Sequence, residues 1–159
     1  MANKTELRAL TTLRSLELTR DMETKHLKKL AVIARESTFE RGETIYTKGS
    51  LGHALYLILD GEIVIETDVP NHGRVVMNRL GPGQFFGWSS LFPPERKMAY
   101  TTATKSTRVF AFNASQLRAA FETDHNLEFA IVRCAGKDMA DRIRASRQQL
   151  NDMISSPAY

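Results

Sequence analysis

The chain has 159 residues, 42% of them hydrophobic and 25% charged, with a formal net charge of +4. That composition fits one globular domain with a short appendage, and the mild basic excess, spread along the chain, is too weak to signal a dedicated polyanion binder. No apolar run is long enough to span a bilayer, the N-terminus MANKTELRAL lacks the apolar core of a signal peptide, and the single cysteine, Cys134, excludes an intrachain disulfide. Together these point to the cytoplasm.

Residues 1–37 read as an N-terminal helical segment. In METKHLKKLAVIARES, Leu27, Leu30 and Ile33/Ala34 share one face of an amphipathic helix. An earlier helix runs through Leu7, Leu10, Leu13 and Leu16.

Residues 38–113 change period. ETIYTK, ALYLILD, EIVIET, GRVVMNRLG, QFF, AYTTATK and TRVFAFN are strand candidates, with glycines at the joints. Asp60-Gly61 is a dipeptide favoured in tight hairpins and predicts one between the second and third of these runs. Many short strands with regular turns predict an antiparallel sandwich or jelly roll.

Residues 114–159 return to helix. Asn113 or Ser115 caps a short helix over NASQLRAAFETD, and a long helix follows to Met153. Along it Phe129, Val132, Gly136, Met139, Ile143, Ser146 and Leu150 are spaced by threes and fours, a heptad seam that predicts a homodimer. Arg133, Lys137, Arg142, Arg144 and Arg147 read as its solvated side, and Cys134 as a small buried residue.

Other chemistry lacks its residues. The four histidines are scattered singly, no His-x-His pair or zinc spacing exists, and no nucleophile elbow or P-loop appears. The expectation is a non-enzymatic protein with no metal.

The stretch GQFFGWSSLFPPERKMAYTTA, from Gly83 to Ala103, has a glycine turn, one helical turn and a cationic pair. Such a turn exposes amide N–H groups suited to an anion, and a cation beside it adds charge. With LYLILDGEIVI before it and TRVFAFNASQLRAAF after it, this stretch resembles the cyclic-nucleotide-binding domain family. That family includes bacterial catabolite activator proteins and regulatory subunits of cyclic-AMP-dependent kinase. The resemblance implies an α+β fold: a double-stranded β-helix, or jelly roll, with N-terminal helices and a long C-terminal dimerisation helix. It also implies a phosphate-binding cassette between Gly83 and Ala103.

The family's cassette reads Phe-Gly-Glu, then Leu, then Arg, a small residue and Ala. Here Phe86, Gly87, Leu91 and Ala99 match, with Ser89 and Ser90 between. Trp88 stands at the ribose-binding glutamate, where its ring would fill the sugar site. Lys97 takes the arginine position and Met98 that of the small hydroxyl residue. Arg96 reaches the site only with a one-residue slip, which strand alternation opposes. Losing the carboxylate removes an acceptor worth on the order of 1–3 kcal/mol. Lysine keeps the arginine's charge but loses its planar fork. On the long helix, Ser146 and Arg147 fall where the activators' base-contacting pair lies.

The implied function is a regulatory sensor domain, binding a small anionic ligand such as cyclic AMP or another cyclic nucleotide and signalling through the C-terminal helix. The alternative is a ligand-free, dimeric protein-interaction module that meets a partner protein. Too few residues follow Met153 for the activators' helix-turn-helix, so no DNA contact is expected through this chain.

Overall fold

A computed structural model describes residues 1–155 of the chain; the last four residues of the third predicted region lie outside it. Two helices lead: α1 (Lys4–Ser15) and α2 (Thr24–Ile33). Asn3 starts α1 by accepting the Glu6 amide at 2.8 Å, a side-chain cap. Eight strands follow: β1 (Ala34–Phe39), β2 (Thr44–Tyr46), β3 (Ala54–Asp60), β4 (Ile63–Val69), β5 (Gly73–Leu80), β6 (Phe85–Phe86), β7 (Tyr100–Ala103) and β8 (Thr107–Asn113). A 3-10 helix, Trp88–Leu91, interrupts them. Two further helices follow, α3 (Ala114–Thr123) and α4 (His125–Ser155).

The strands form two four-stranded sheets, in the orders β1-β8-β3-β6 and β2-β7-β4-β5, with antiparallel pairing throughout. The jelly roll is therefore present, with two departures from the sequence reading. First, the roll begins at Ala34, because Ala34 to Phe39 pair residue by residue with Phe112 back to Thr107. A ladder of six residues outweighs the helical preference of Ala-Arg-Glu. Second, Asp60-Gly61 is a corner and not a hairpin, since β3 and β4 belong to different sheets. Gly61 sits at φ 103°, and a Cβ there would come within 2.6 Å of the Ser106 carbonyl. The hairpin lies one step later, between β4 and β5, with Val69 opposite Gly73.

Alternation along β3 and β8 buries both faces of the first sheet. Leu55, Leu57, Phe110 and Phe112 turn toward the helices and pack with Leu27, Leu30, Leu117, Leu127 and Ile131. Ile58 and Val109 turn into the roll with Ile63, Leu80, Phe86 and Ala103. The molecule thus has two apolar compartments separated by one sheet, a helical layer and a roll interior. Asn113 caps α3, accepting the Gln116 amide at 2.9 Å. No helix among the described residues is long and apolar enough to cross a membrane.

Candidate ligand site in the β-roll

The segment from Phe85 to Leu91 distributes its side chains between the two compartments. Phe85 faces the helical layer and Phe86 the roll interior. Gly87 follows in the left-handed region at φ 92°, where a Cβ would lie 2.8 Å from the Ala54 carbonyl oxygen. The turn it permits leads into the 3-10 helix. Ser90, fully buried, donates to the Ala54 carbonyl at 2.9 Å, and Arg118 on α3 donates to the Ser90 carbonyl at 2.6 Å.

Lys97 comes back across the roll to this turn. Its side chain is only 4% exposed. The ammonium donates to Ser90 Oγ at 2.7 Å and to the Gly87 carbonyl at 3.4 Å, and lies 4.2 Å from the centre of the Tyr46 ring. No carboxylate pairs with it among the described residues. Burial without a counter-charge lowers its pKa from 10.5 to about 8. Around it, Tyr46, Tyr56 and Phe86 form an aromatic lining: the Tyr56 and Phe86 rings stack at 4.8 Å, and Phe39 meets Tyr56 edge-on at 5.8 Å. Burial raises the pKa of Tyr46 and Tyr56.

Gly87, Ser90 and Lys97 are therefore brought together, with Phe86 beside them. Several other residues named from the sequence are not. Trp88 does not fill the sugar site. Its ring, 4% exposed, packs in the helical layer against Phe85 at 5.4 Å, because the left-handed turn at Gly87 sends residue 88 to the other side of the sheet. Leu91 joins the same layer, and Ser89 is half-buried. Arg96 points outward and donates to the Gly49 carbonyl at 2.9 Å. Met98, 81% exposed, lies on the outer side as well, and Ala99 is half-buried. On α4, Ser146 is half-buried and Arg147 is exposed.

Two contributors were not singled out from the sequence. The Trp88 indole N–H donates to Asp138 Oδ2 at 2.6 Å. Arg142, read as solvated, is instead half-buried; it pairs with the same carboxylate oxygen at 2.9 Å and also donates to the Phe85 carbonyl. Its Nε is buried with no hydrogen-bond partner. Desolvation lowers the Arg142 pKa, opposed by Asp138 and by Tyr46. The signal was present: Leu127, Ile131, Cys134 and Ala135 are the buried stripe of α4, and Asp138 and Arg142 continue it as a pair four residues apart.

The seam residues occupy a different face. Phe129, Val132, Gly136, Ile143 and Leu150 are exposed, and Met139 and Ser146 are half-buried. A Cβ built on Gly136 meets nothing within 4 Å.

An antiparallel jelly roll flanked by N-terminal helices and a long C-terminal helix is the architecture of the cyclic nucleotide-binding fold. The chain belongs to the cyclic nucleotide-binding domain family: residues 36–124 match that domain's sequence profile. It is similar to a CRP-like cAMP-activated global transcriptional regulator of Mycobacterium tuberculosis, 26% identical over 116 residues, 73% of this chain and 50% of the relative. It is also similar to the cAMP-activated global transcriptional regulator Vfr of Pseudomonas aeruginosa, 24% identical over 133 residues, 81% of this chain and 60% of the relative. The chain thus spans half to three-fifths of the length of these curated relatives. Among solved structures, a cyclic nucleotide-binding domain from Methylobacillus flagellatus superimposes with a TM-score of 0.80 at 20% identity, over 98% of this chain and 86% of that one. The cAMP-bound regulatory domain of Toxoplasma gondii protein kinase A gives 0.70 at 20% identity, over 84% and 51%. These likenesses to solved structures are likenesses of fold. The two curated relatives named above are transcriptional regulators.

Proposed function

We propose that this chain is a non-enzymatic sensor domain of the cytoplasm. It binds a small anionic ligand, a cyclic nucleotide in the first instance, beside Lys97 in the β-roll, and signals through α4, on which two copies pair. One observation carries the reading: Lys97 is buried with no counter-charge, next to a glycine turn and a hydroxyl. A buried ammonium without a counter-charge is costly, and an anionic ligand would relieve that cost. The placement of Trp88 supports the same reading, because the indole leaves the roll interior to Phe86, Tyr46 and Tyr56. Calorimetry with cyclic AMP, cyclic GMP and cyclic dinucleotides, on wild type and Lys97→Met, tests it. Heat of binding that disappears in the variant is expected; silence from every compound at about millimolar concentration refutes the nucleotide reading.

The ligand-free interaction module remains the second reading, and one observation favours it: the Lys97 ammonium already has two protein partners, Ser90 Oγ and the Gly87 carbonyl. Under that reading the exposed seam of α4 and a partner protein carry the function. Native mass spectrometry of the purified protein separates the two by the presence or absence of a retained ligand.

A further inference from the structure

A groove of about 490 Å³ lies outside the roll, between the α1–α2 connection and the first half of α4. His26, on α2, lines it. This imidazole is 3% exposed, and neither ring nitrogen has a hydrogen-bond partner. The Asp124 carboxylate lies 4.0 Å from Nε2, but it is already engaged by Lys29 at 2.5 Å and by the Leu127 amide at 3.0 Å. A buried ring with unmet hydrogen-bonding capacity is a standing cost that a ligand group in the groove can remove.

The groove's two walls carry opposite charges. Arg133 and Lys137, one turn apart on α4, form one; Asp21 and Glu23, from the α1–α2 connection, form the other. Arg133, Lys137 and Asp21 have no ion-pair partner among the described residues, and Glu23 pairs only with its neighbour Lys25. No ion pair crosses the groove, so a gap separates the walls. A simple anion placed between them meets Asp21, and a simple cation meets Arg133. A molecule carrying both charges satisfies both walls. Between the charges the surface is apolar, with Leu18 and Met22 contributing.

We infer that this groove is a second ligand site, separate from the roll, for a zwitterion of the amino-acid or short-peptide class with an apolar side chain. The ammonium lies toward Asp21 and Glu23 and the carboxylate toward Arg133 and Lys137. A polar atom of the ligand meets His26, and the side chain covers Leu18 and Met22.

The test is a thermal-shift screen of the whole protein against the common amino acids and a set of apolar dipeptides at about 10 mM, followed by calorimetry of any hit. Expected is at least one compound binding one per chain, with affinity falling about tenfold or more in both Arg133→Glu and Asp21→Lys. Both positions are exposed, so these variants retain the fold. Binding survives Lys97→Met. No shift from any compound overturns the inference. So does binding that persists in both charge variants, or that is lost in Lys97→Met, which would assign the ligand to the roll.

Discussion

Lys97→Met removes the buried ammonium and keeps most of the stem. In the unfolded chain the lysine holds its proton up to its ordinary value of 10.5, whereas in the folded chain burial lowers that limit to about 8. The depressed value means the native state binds fewer protons than the unfolded state between these limits, so stability rises with pH across that window. Below about pH 8 the cost of burying the charge is present in full; as pH climbs toward about 10.5 it is relieved. One pKa unit corresponds to about 1.4 kcal/mol, so the relief between about pH 7 and pH 9.5 is at most about 2 kcal/mol. Burial raises the Tyr46 pKa, so the phenol beside the ammonium stays protonated over this range and does not confuse the comparison. The assay is urea unfolding of wild type and variant across that range. The wild-type free energy minus that of the variant should climb by up to about 2 kcal/mol. Two parallel profiles would refute the claim that Lys97 is buried without a counter-charge. A saturating anionic ligand in the roll favours the charged form and should flatten the difference, which ties the pH profile to the proposed site.

Four further outcomes are expected. Ile143→Glu with Leu150→Glu, both at exposed seam positions, should give a folded monomer by light scattering; a dimer that survives both charges places the interface elsewhere. Trp88→Phe removes the 2.6 Å bond to Asp138 and should cost about 1–2 kcal/mol in urea unfolding. Trp88→Glu should cost more than about 3 kcal/mol, because it puts a carboxylate in the apolar helical layer, and adding Met98→Ser should bring no cyclic-AMP affinity, since residue 98 faces solvent. A gain of affinity in that double variant would show that residue 88 faces the ligand. Gly52→Ala places a methyl 2.4 Å from Ser90 Oγ and 2.8 Å from its Cα, so it should shift the 3-10 helix, lower stability by about 2 kcal/mol and abolish any heat of nucleotide binding; unchanged stability would mean the loop relaxes freely.

The order of the helices and of the strands from β2 to β8 was legible because it rests on period. The heptad spacing along α4 was legible for the same reason. The Asp60-Gly61 corner was misread because a dipeptide specifies a turn, not which sheet the chain enters next; that depends on β4 pairing with β5 and β7. β1 was missed altogether, its first residues being read as helix, because its partner, β8, lies about seventy residues later. At the site, two-residue alternation favoured Lys97 over Arg96, and Arg96 does point outward, whereas Met98, placed beside Lys97 from the sequence, faces solvent. Trp88 escaped the argument because its direction is set by one positive φ at Gly87, and periodicity does not report that angle. Arg142 escaped because five cations at helical spacing looked equivalent, although only one of them follows the buried stripe with an acid one turn before it.

These two misreadings bear on the mechanism together. Residues 85–91 are one short segment whose atoms reach both compartments. Its roll side holds the Gly87 carbonyl and Ser90 against Lys97; its helical side holds the Trp88 indole against Asp138, and Arg142 bonds both Asp138 and the Phe85 carbonyl. An anion that draws the Lys97 ammonium away from Ser90 and Gly87 therefore acts on the segment that anchors α4. Signalling needs differential binding to two arrangements of one element, and this segment is where the roll and the long helix share atoms. The coupling then predicts a readout without added dye. The chain's only tryptophan is at the junction, so ligand binding in the roll should change its emission in wild type. In Asp138→Asn, which weakens the link between the indole and Arg142, the affinity should survive while the emission change shrinks. An unchanged emission response in that variant would show that the signal leaves the roll by another route.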